Sequence, residues 1–380
     1  MDQNTNFSLY VIAHKSFNAP PFKLYVPIQV GAALNDDLGI LRDDVGDNIS
    51  TKNPNFCELT GMYWIWKNVK DKTVVGICHY RRYFINDKGF LLSENEIRDI
   101  LSKKDIITSK MITLNNSYYY GFSVNHHAKD LDITRDVLSE KYPDYIPFFD
   151  ELVNGPHTYF GNLIICEKTL YDNYMSWLFD ILFEVERRVD MTGYDNYQKR
   201  LYGFLSEFLQ TVYIKKNNLK VHECMIGMSG EKHETFTLRK SMENAFLAGD
   251  YMKAKSLFNE AFKKRNDLLM EASDVNGELK LCMQIISTCE YEAANNLTPI
   301  LEKERDTDNL FAFFILLNRF LNEILWKTKD IHISYESFLN YVKMQPDNSF
   351  VANSRNVGKS RFITLLDEEN FKIARLLAQR

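Results

Sequence analysis

Residues 73–84 read Thr-Val-Val-Gly-Ile-Cys-His-Tyr-Arg-Arg-Tyr-Phe. The first half of this stretch is short, β-branched and uncharged, a pattern typical of a central strand that is covered on both faces. Such strands usually belong to α/β sheets, in which ligands bind beyond the carboxyl ends of the strands. Because His79, Arg81 and Arg82 follow the strand directly, the sequence predicts that they lie at such a site.

The two arginines of this stretch indicate an anionic ligand. A guanidinium group carries a planar fork of donors that matches phosphate oxygens in bidentate fashion. If the chain stays extended, alternation places His79 and Arg81 on one face of the strand and Arg82 on the other. The alternative is that both arginines pair with carboxylates at the strand end and bind no ligand.

The composition limits the class of protein. A chain of 380 residues has the length of two or three domains, and 45% hydrophobic with 13% aromatic residues can form sizeable cores. The formal net charge of -5 argues against a general nucleic-acid binder, although a local basic pocket is compatible with it. The six cysteines are scattered, without a C-x-x-C pair or a Cys/His spacing, so neither a zinc site nor a disulfide framework is indicated.

The sequence also predicts where the protein resides. Residues 1–6 lack the basic and then apolar pattern of a signal peptide, and no run of about 18 uncharged apolar residues occurs. We therefore expect a soluble protein in the reducing cytoplasm. Peripheral attachment to the inner face of the membrane through an amphipathic surface is an alternative that the sequence leaves open.

The first part of the chain alternates strand and helix patterns. Residues 7–13 predict a first buried strand, and Asn53 followed by proline predicts the start of a helix that runs to about Val69. Ser93 and Glu96 are spaced as a capping box at the start of the next helix. Further elements are predicted as strands at 105–108 and 161–166, helices at 170–189 and 198–216, and an edge strand at 219–222.

The second part of the chain is predicted to be helical. From about residue 231 strand patterns are nearly lost, so we predict an α/β domain over 1–230 and an all-helical domain over 231–380. Residues 243–258 resemble one tetratricopeptide-type hairpin, with Gly249 and Asp250 at the turn and Ala254 in close packing. No second copy follows at the period of about 34 residues, so an irregular helical bundle is favoured over a solenoid.

Residues 43–50, Asp-Asp-Val-Gly-Asp-Asn-Ile-Ser, form a dense polar motif before the predicted helix. Three carboxylates, an amide and a hydroxyl suit a hydrogen-bonding or metal-assisted ligand loop. The spacing is not that of an EF-hand, which needs oxygen ligands at alternate positions and a glutamate at the twelfth. A solvated turn is the alternative.

Three other features have both a structural and a functional interpretation. Glu58 lies in the first helical turn, where the helix dipole favours a carboxylate in any case. His126 and His127 are adjacent, so their side chains diverge and are interpreted as substrate contacts rather than as shared metal ligands. Residues 353–360 end like a phosphate loop, but Asn353 stands where the first glycine is required and no strand precedes, so a nucleoside triphosphatase is rejected.

Several ordered motifs occur along about the first 225 residues. They are His14-Lys15, Tyr-Val-Pro-Ile-Gln-Val-Gly at 25–31, Asp-Val-Gly-Asp-Asn-Ile-Ser at 44–50, Asn-Pro-Asn-Phe-Cys-Glu-Leu-Thr at 53–60, Tyr-Trp-Ile-Trp-Lys-Asn at 63–68 and Gly-Ile-Cys-His-Tyr-Arg-Arg-Tyr-Phe at 76–84. Together they resemble a family of bacterial glycosyltransferases that act in capsular, exopolysaccharide and O-antigen assembly, and whose domain has been described as of unknown function. The agreement is looser at 159–165, 177–179 and 200–209, and the helical part is not covered.

This resemblance implies a GT-A-like, Rossmann-like mixed sheet flanked by helices. It implies a UDP-sugar donor, with a galactose-type hexose in pyranose or furanose form, and a lipid-linked oligosaccharide acceptor at the inner face of the membrane. Nucleic acid is not an expected partner. The residues assigned to the donor and its diphosphate are His14, Lys15, Asp44, Asp47, Asn48, Glu58, His79, Arg81 and Arg82, and those assigned to the acceptor side are His126, His127 and Asn162.

One departure from the usual GT-A pattern affects the mechanism. No Asp-x-Asp follows the strand at residue 73, so Arg81 and Arg82 are expected to neutralise the leaving diphosphate. No cofactor is assigned with certainty, and Mn²⁺ or Mg²⁺ held by Asp43, Asp44 and Asp47 is the alternative.

An inverting transfer also needs a carboxylate as general base. Glu207 is the first candidate and Asp195 the second, although Glu207 in a simple helical salt bridge is equally compatible with the pattern. A non-catalytic saccharide- or nucleotide-binding module is the rival class of protein. A phosphate-ester hydrolase is disfavoured, because neither a nucleophile elbow nor a cluster of metal ligands is apparent.

Overall fold

The structure is a computed structural model that describes residues 6–230, 233–265, 268–269, 273–328 and 332–378. The interpretation of residues 1–5 as free of a signal peptide, and the predicted domain boundary at residues 231 and 232, lie outside the described residues. The chain divides into two compact units, an N-terminal unit of residues 1–229 and a C-terminal unit of residues 230–380.

The N-terminal unit is built on a mixed eight-stranded sheet. Its strands are β1 (Phe7–Ala13), β2 (Tyr25–Gln29), β3 (Leu41–Arg42), β4 (Val74–His79), β5 (Arg82–Ile85), β6 (Ile106–Ser109), β9 (Ile164–Glu167) and β10 (Val221–Met228), and a separate two-stranded ribbon consists of β7 (Ile112–Thr113) and β8 (His157–Thr158).

The pairing of these strands sets their directions. Strands β3, β2, β1 and β4 are parallel neighbours, and β9 runs antiparallel between β4 and β6. Strand β10 is parallel to β6 and antiparallel to β5. The carboxyl ends of β1, β2, β3, β4, β6 and β10 therefore point to the same edge of the sheet, and the amino end of β9 lies at that edge as well.

Helices cover the sheet, and each of its faces carries a hydrophobic core. Side chains of β4 alternate between the cores, with Val75 and Ile77 in one and Val74 and Cys78 in the other, as expected for a strand buried on both faces. The helices are α1 (Asn53–Phe56), α2 (Leu59–Asn68), α3 (Glu94–Leu101), α4 (Tyr118–Asn125), α5 (Ala128–Lys141), α6 (Ile146–Asn154), α7 (Lys168–Arg188) and α8 (Leu201–Lys216).

Three local predictions for this unit are wrong. The helix from Asn53 breaks at Cys57, which has a φ of 52°, because the Asn53 side chain donates to the Cys57 carbonyl over 2.7 Å. Strand β10 extends to Met228 and lies between β6 and β5 instead of at an edge. The chain after β4 does not stay extended, because it reverses and pairs His79 with Arg82.

The C-terminal unit has its own hydrophobic core. Its helices are α9 (His233–Leu247), α10 (Tyr251–Lys264), α11 (Glu278–Ala294), α12 (Ile300–Lys303), α13 (Thr307–Thr328), α14 (Tyr335–Met344), α15 (Lys359–Leu365) and α16 (Glu368–Ala378). The helical character is confirmed, but a short hairpin of β11 (Val351–Ala352) and β12 (Arg355–Asn356) was not expected.

The predicted hairpin of α9 and α10 is confirmed. Gly249 takes a φ of 78° at the turn, and the Asp250 side chain caps α10 by accepting from the Lys253 N–H over 2.9 Å. Ala254 is fully buried, in agreement with the close packing that the sequence predicted for it. None of the helices that the structure describes is long and apolar enough to cross a membrane.

A first prediction concerns Gly76 at the centre of β4. A Cβ atom there would lie 2.3 Å from Leu9 Cδ2 and 2.9 Å from Ile165 Cγ1, so side chains from both neighbouring strands would have to move. We expect Gly76→Ala to lower the free energy of unfolding by about 1–3 kcal/mol, as overpacking usually does. Urea denaturation followed by tryptophan fluorescence measures the change.

The matched control is Gly121→Ala in helix α4, where the nearest atom to an added Cβ is Leu114 Cδ1 at 3.9 Å. This substitution should be neutral or stabilising by about 0.5–1 kcal/mol, because alanine favours a helix interior over glycine. Equal effects of the two substitutions would contradict the packing described for β4.

Candidate active site

The candidate active site lies at the edge of the sheet where β1 and β4 end. Strand β4 closes with the two-residue turn Tyr80–Arg81, and the Tyr80 N–H donates to the Ile12 carbonyl of β1 over 2.9 Å. The pairing of His79 with Arg82 puts their side chains on the same side of the sheet. The turn thus places three cationic or titratable side chains at one point.

Two side chains of this turn region carry polar atoms without a partner. His79 Nε2 and the Nε and Nη1 atoms of Arg81 are buried and make no hydrogen bond with any described residue. Buried donors in native proteins are nearly always paired, so such a group needs an explanation. A ligand that brings oxygen acceptors to this edge would satisfy all three atoms.

Tyr80 gathers the neighbouring charged side chains around its ring. The His14 ring meets it edge-on with the centroids 5.2 Å apart, Lys15 Nζ lies 5.7 Å from its centroid, and the Arg81 guanidinium lies 5.5 Å from it. His14 and Lys15 follow β1 and Arg81 follows β4. The structure therefore brings together these residues, which the resemblance assigns to the donor.

The histidine of this group is neutral at physiological pH. Burial lowers the pKa of His79 to about 4, and the nearby charges of Arg82, His14 and Arg81 act in the same direction. Glu58 opposes the shift. A neutral imidazole can donate or accept with Nε2, so His79 suits either a hydroxyl or a phosphate oxygen.

A second cluster of polar side chains surrounds the turn that precedes β9. The Gly161 N–H donates to Glu207 Oε1 over 2.8 Å, and the Asn162 amide donates to Glu58 Oε1 over 2.7 Å. Gly161 has a φ of 96°, and a Cβ atom on it would lie 3.1 Å from Arg82 Nη1. The positive φ therefore favours glycine here, and the Arg82 guanidinium would have to shift by a few tenths of an ångström to admit a larger residue.

Glu207 holds its proton near neutral pH. Burial raises the pKa of Glu207 to about 8, and the charge of Glu58 adds to the effect. Arg82, the Gly161 N–H and Arg200 oppose it. A carboxyl group with such a pKa at a ligand-facing edge is typical of a group that transfers a proton.

The carboxylates of the polar motif at 43–50 form internal contacts. Asp43 is fully buried and accepts from the N–H groups of Gly31 and Ala32, each over 3.0 Å, and from Ser50 Oγ over 2.5 Å. Asp44 accepts from Arg42 over 2.6 Å. These contacts stabilise the loop after β3 at the same edge of the sheet.

The remaining polar residues of the motif also bind within the loop or to α2. Tyr63 Oη donates to Asp47 Oδ1 over 3.1 Å, and the Asn48 amide donates to the Gly46 carbonyl over 2.8 Å. No contact joins Asp44, Asp47 or Asn48 to the Tyr80 cluster among the hydrogen bonds and ion pairs of the described residues. Over the described part of the chain, no group of three His, Cys, Asp or Glu side chains is arranged to hold a metal ion.

The residues assigned to the acceptor side separate in the structure. Asn162 is only 1% exposed and sits in the carboxylate cluster. The His126 ring stacks on Tyr197 at 5.3 Å, whereas His127 stacks on Tyr194 at 4.2 Å. The two histidines therefore diverge, as the sequence predicted.

Asp195, the second candidate base, is exposed and acts as a local cap. Its Oδ1 accepts from the N–H groups of Tyr197 and Gln198 over 2.8 and 2.7 Å. Its charge also lies near His126, where it partly offsets the burial that lowers the pKa of that histidine to about 4. This arrangement fits a structural role better than that of a poised base.

The sequence analysis missed three residues of the site. The Tyr80 ring contacts His14, Lys15 and Arg81. Arg200 Nε donates to Cys57 Sγ over 3.4 Å, and a Cβ atom on Gly203 would lie 3.4 Å from Cys57 Cβ and Sγ. Arg200, Gly203 and Glu207 are spaced by three and four residues, so they share one face at the start of α8. This spacing is the sequence feature from which Arg200 and Gly203 could have been grouped with Glu207.

Comparison with known proteins places the chain in a family. Residues 8–218 match the model of a family described as a domain of unknown function, DUF4422. The match covers more than half of the chain, so the protein belongs to this family. A comparison with curated proteins found no match.

A solved structure supports a more specific comparison. The chain is similar to the apo structure of the bifunctional glycosyltransferase WbbM, with 28% sequence identity and a TM-score of 0.56. The match covers 60% of this chain and 46% of the WbbM chain, so it spans less than half of that protein. Part of the chain is thus similar to a glycosyltransferase structure, and the mixed sheet flanked by helices confirms the expected α/β fold class.

A second prediction follows from the carboxyl group of Glu207. Because its pKa is higher in the folded state than the ordinary value of 4.5, folding retains a proton and stability falls as the pH rises from about 4.5 to about 8. Glu207→Gln should remove this loss and make the fall in stability between pH 5 and 8.5 smaller by at least about 1 kcal/mol. Urea denaturation at both pH values measures it.

The control is Glu151→Gln on helix α6, which removes an exposed carboxylate paired with Lys215. Its pH dependence should match that of the unmodified protein. If Glu207→Gln also leaves the pH dependence unchanged, Glu207 is ionised in the folded protein at neutral pH and our description of its surroundings is wrong.

Proposed function

We propose that the protein is a glycosyltransferase that takes a hexose from a UDP-sugar, at a GT-A-like site on the carboxyl edge of its N-terminal sheet. One observation carries this proposal: His79 Nε2 and Arg81 Nε and Nη1 are buried polar atoms without a partner among the described residues. They lie where α/β sheets bind nucleotides. The similarity to the glycosyltransferase WbbM supports the reaction class.

The diphosphate of the donor suits the chemistry of this edge. Arg81 presents Nε and Nη1, two N–H donors of one planar guanidinium, which can engage phosphate oxygens. Lys15 and His14 add positive or titratable groups around the same Tyr80 ring. Together these groups offset the two negative charges that develop on the leaving diphosphate, which is the largest electrostatic demand of the transfer.

Arginine rather than metal is proposed to carry this charge. The carboxylates of the polar loop are committed, since Asp43 binds backbone N–H groups and Asp44 binds Arg42. A divalent ion would have to compete with these contacts. The loop then contributes by shaping the edge of the site beside the nucleotide and the donor sugar.

Glu207 is proposed as the general base. It lies in the second cluster with Arg82, which contacts the Gly161 turn, so the base and the diphosphate clamp are connected through the pair of His79 and Arg82. The acceptor hydroxyl would approach between the two clusters. A base with a pKa of about 8 accepts a proton more readily than an ordinary carboxylate.

The resemblance of the sequence motifs supports a finer assignment of substrates. The donor is proposed to carry a galactose-type hexose, in pyranose or furanose form, and the acceptor to be a lipid-linked oligosaccharide of surface polysaccharide biosynthesis. The acceptor would be reached at the inner face of the membrane. His126, beside Tyr197 and Phe204, offers aromatic faces on which a sugar ring can stack.

A third prediction tests the diphosphate clamp. Arg81→Gln should weaken UDP binding at least about tenfold, because hydrogen bonds to charged groups contribute about 1.5–3 kcal/mol. Arg81→Lys should recover only part of the affinity, since the single ammonium group cannot replace two separate N–H donors of the guanidinium. Isothermal titration calorimetry with UDP measures both.

The matched control is Arg187→Gln, which removes an arginine that is 75% exposed and paired with Glu184 on helix α7. Its UDP affinity should equal that of the unmodified protein. An Arg81→Gln protein that binds UDP as tightly as the control would contradict the proposed site. Binding of UDP without UDP release from any UDP-hexose in the presence of acceptor would favour the non-catalytic binding module.

A further inference from the structure

Two carboxylates of the site are held by adjacent residues of one turn. Glu207 on α8 accepts from the backbone N–H of Gly161, and Glu58 at the start of α2 accepts from the side chain of the next residue, Asn162. A Cβ atom on residue 203, one helical turn before Glu207, would lie 3.9 Å from Glu58 Oε2, so Gly203 is close to this carboxylate. The two carboxylates are therefore fixed as a pair.

Asn162 has no freedom to release Glu58. Its Oδ1 accepts from Ser206 Oγ over 3.0 Å, and its amide nitrogen donates to the Gly203 carbonyl over 3.2 Å as well as to Glu58. With a φ of 50° and 1% exposure, it is locked by backbone and side chain. Every polar atom of its side chain is used inside the protein, which argues against a direct contact with the acceptor.

The charges that face Glu207 come from several elements. Glu58 is the anionic group, and it opposes ionisation of Glu207. Arg82 from β5 and Arg200 from the start of α8 favour it. Tyr118 of α4 and Cys57 also face Glu207, and both are uncharged at neutral pH because burial and this carboxyl raise the pKa of each.

We propose that Glu58 is a positioning residue for Glu207: Asn162, next to the Gly161 whose N–H binds Glu207, holds the Glu58 carboxylate and its charge at the same turn. This inference rests on the proposed function, in which Glu207 is the base. Asn162 then acts as the anchor of Glu58 and belongs to the donor-transfer machinery rather than to acceptor binding.

The proton moves in a simple sequence. Glu207 first loses its own proton to solvent, and the resulting carboxylate removes the proton of the acceptor hydroxyl. The acceptor oxygen forms a bond to the anomeric carbon of the donor, while the bond from that carbon to the diphosphate oxygen breaks and its electron pair leaves with UDP. The repulsion from Glu58 makes Glu207 a stronger base, since a nearby like charge favours the protonated form.

A fourth prediction tests this role through the pH dependence of turnover. In the unmodified protein kcat should rise with pH toward about 8, as Glu207 loses its proton. Glu58→Gln keeps an oxygen acceptor for Asn162 but removes the charge, so the rise should move to lower pH by at least about one unit. A residue that only maintains the fold would lower kcat equally at all pH values.

Two further variants complete this experiment. Asn162→Gly tolerates the positive φ and removes the anchor, and it should move the rise in the same direction as Glu58→Gln. Glu151→Gln, on the exposed surface of α6, should leave the profile unchanged. A Glu58→Gln enzyme whose profile keeps its midpoint would overturn the proposal.

A readout without substrate separates this inference from the proposed function. The loss of stability between pH 5 and 8.5 should be reduced by Glu58→Gln and by Glu207→Gln, and the double variant should show no more reduction than Glu207→Gln alone. Additive effects in this cycle would overturn the pairing even if the enzyme is active. If the cycle is non-additive but no UDP is released from any donor, the pairing stands and the proposed function fails.

Discussion

The turn at Tyr80–Arg81 is the constraint on which the rest of the site depends. It closes β4 onto β5, so His79 and Arg82 become a cross-strand pair on one side of the sheet. Arg81, at the tip, is left with buried N–H groups that no described residue accepts. Arg82 reaches the Gly161 turn, where its Nη1 atom lies 3.1 Å from the position that a Cβ atom of residue 161 would take. This one turn therefore positions side chains in both clusters of polar residues.

Both clusters contain groups that a fold selected for stability alone would avoid. A neutral buried histidine, a guanidinium with unsatisfied donors and a carboxyl group that keeps its proton at neutral pH each cost stability. Asn162 adds backbone strain at the same place, because it takes a positive φ of 50°, which residues other than glycine rarely adopt. Their concentration at the carboxyl edge of the sheet favours a ligand site over a structural ion-pair network.

Much of this arrangement could be predicted from the sequence, and the failures have physical causes. The apolar run before His79 identified β4 and the edge at which His14, Lys15 and Arg81 meet, because burial on both faces leaves a strong pattern. The turn at Tyr80 was missed because both of its residues keep negative φ and neither is glycine or asparagine, the usual signals of a tight hairpin. The density of carboxylates at 43–50 suggested ligand contacts. The first of these carboxylates, Asp43, instead accepts hydrogen bonds from the backbone N–H groups of Gly31 and Ala32, which are distant in sequence. Such long-range partners cannot be read from local composition.

The protein belongs to a family described as a domain of unknown function, and part of the chain is similar to the structure of a bifunctional glycosyltransferase. The central claim is that the unpartnered donors after β4 bind the diphosphate of a sugar nucleotide. A crystal structure of the protein with UDP tests this claim most directly. We predict diphosphate oxygens within hydrogen-bond distance of Arg81 Nε and Nη1 and of His79 Nε2. UDP bound elsewhere, with these three atoms still lacking an acceptor, would contradict the account.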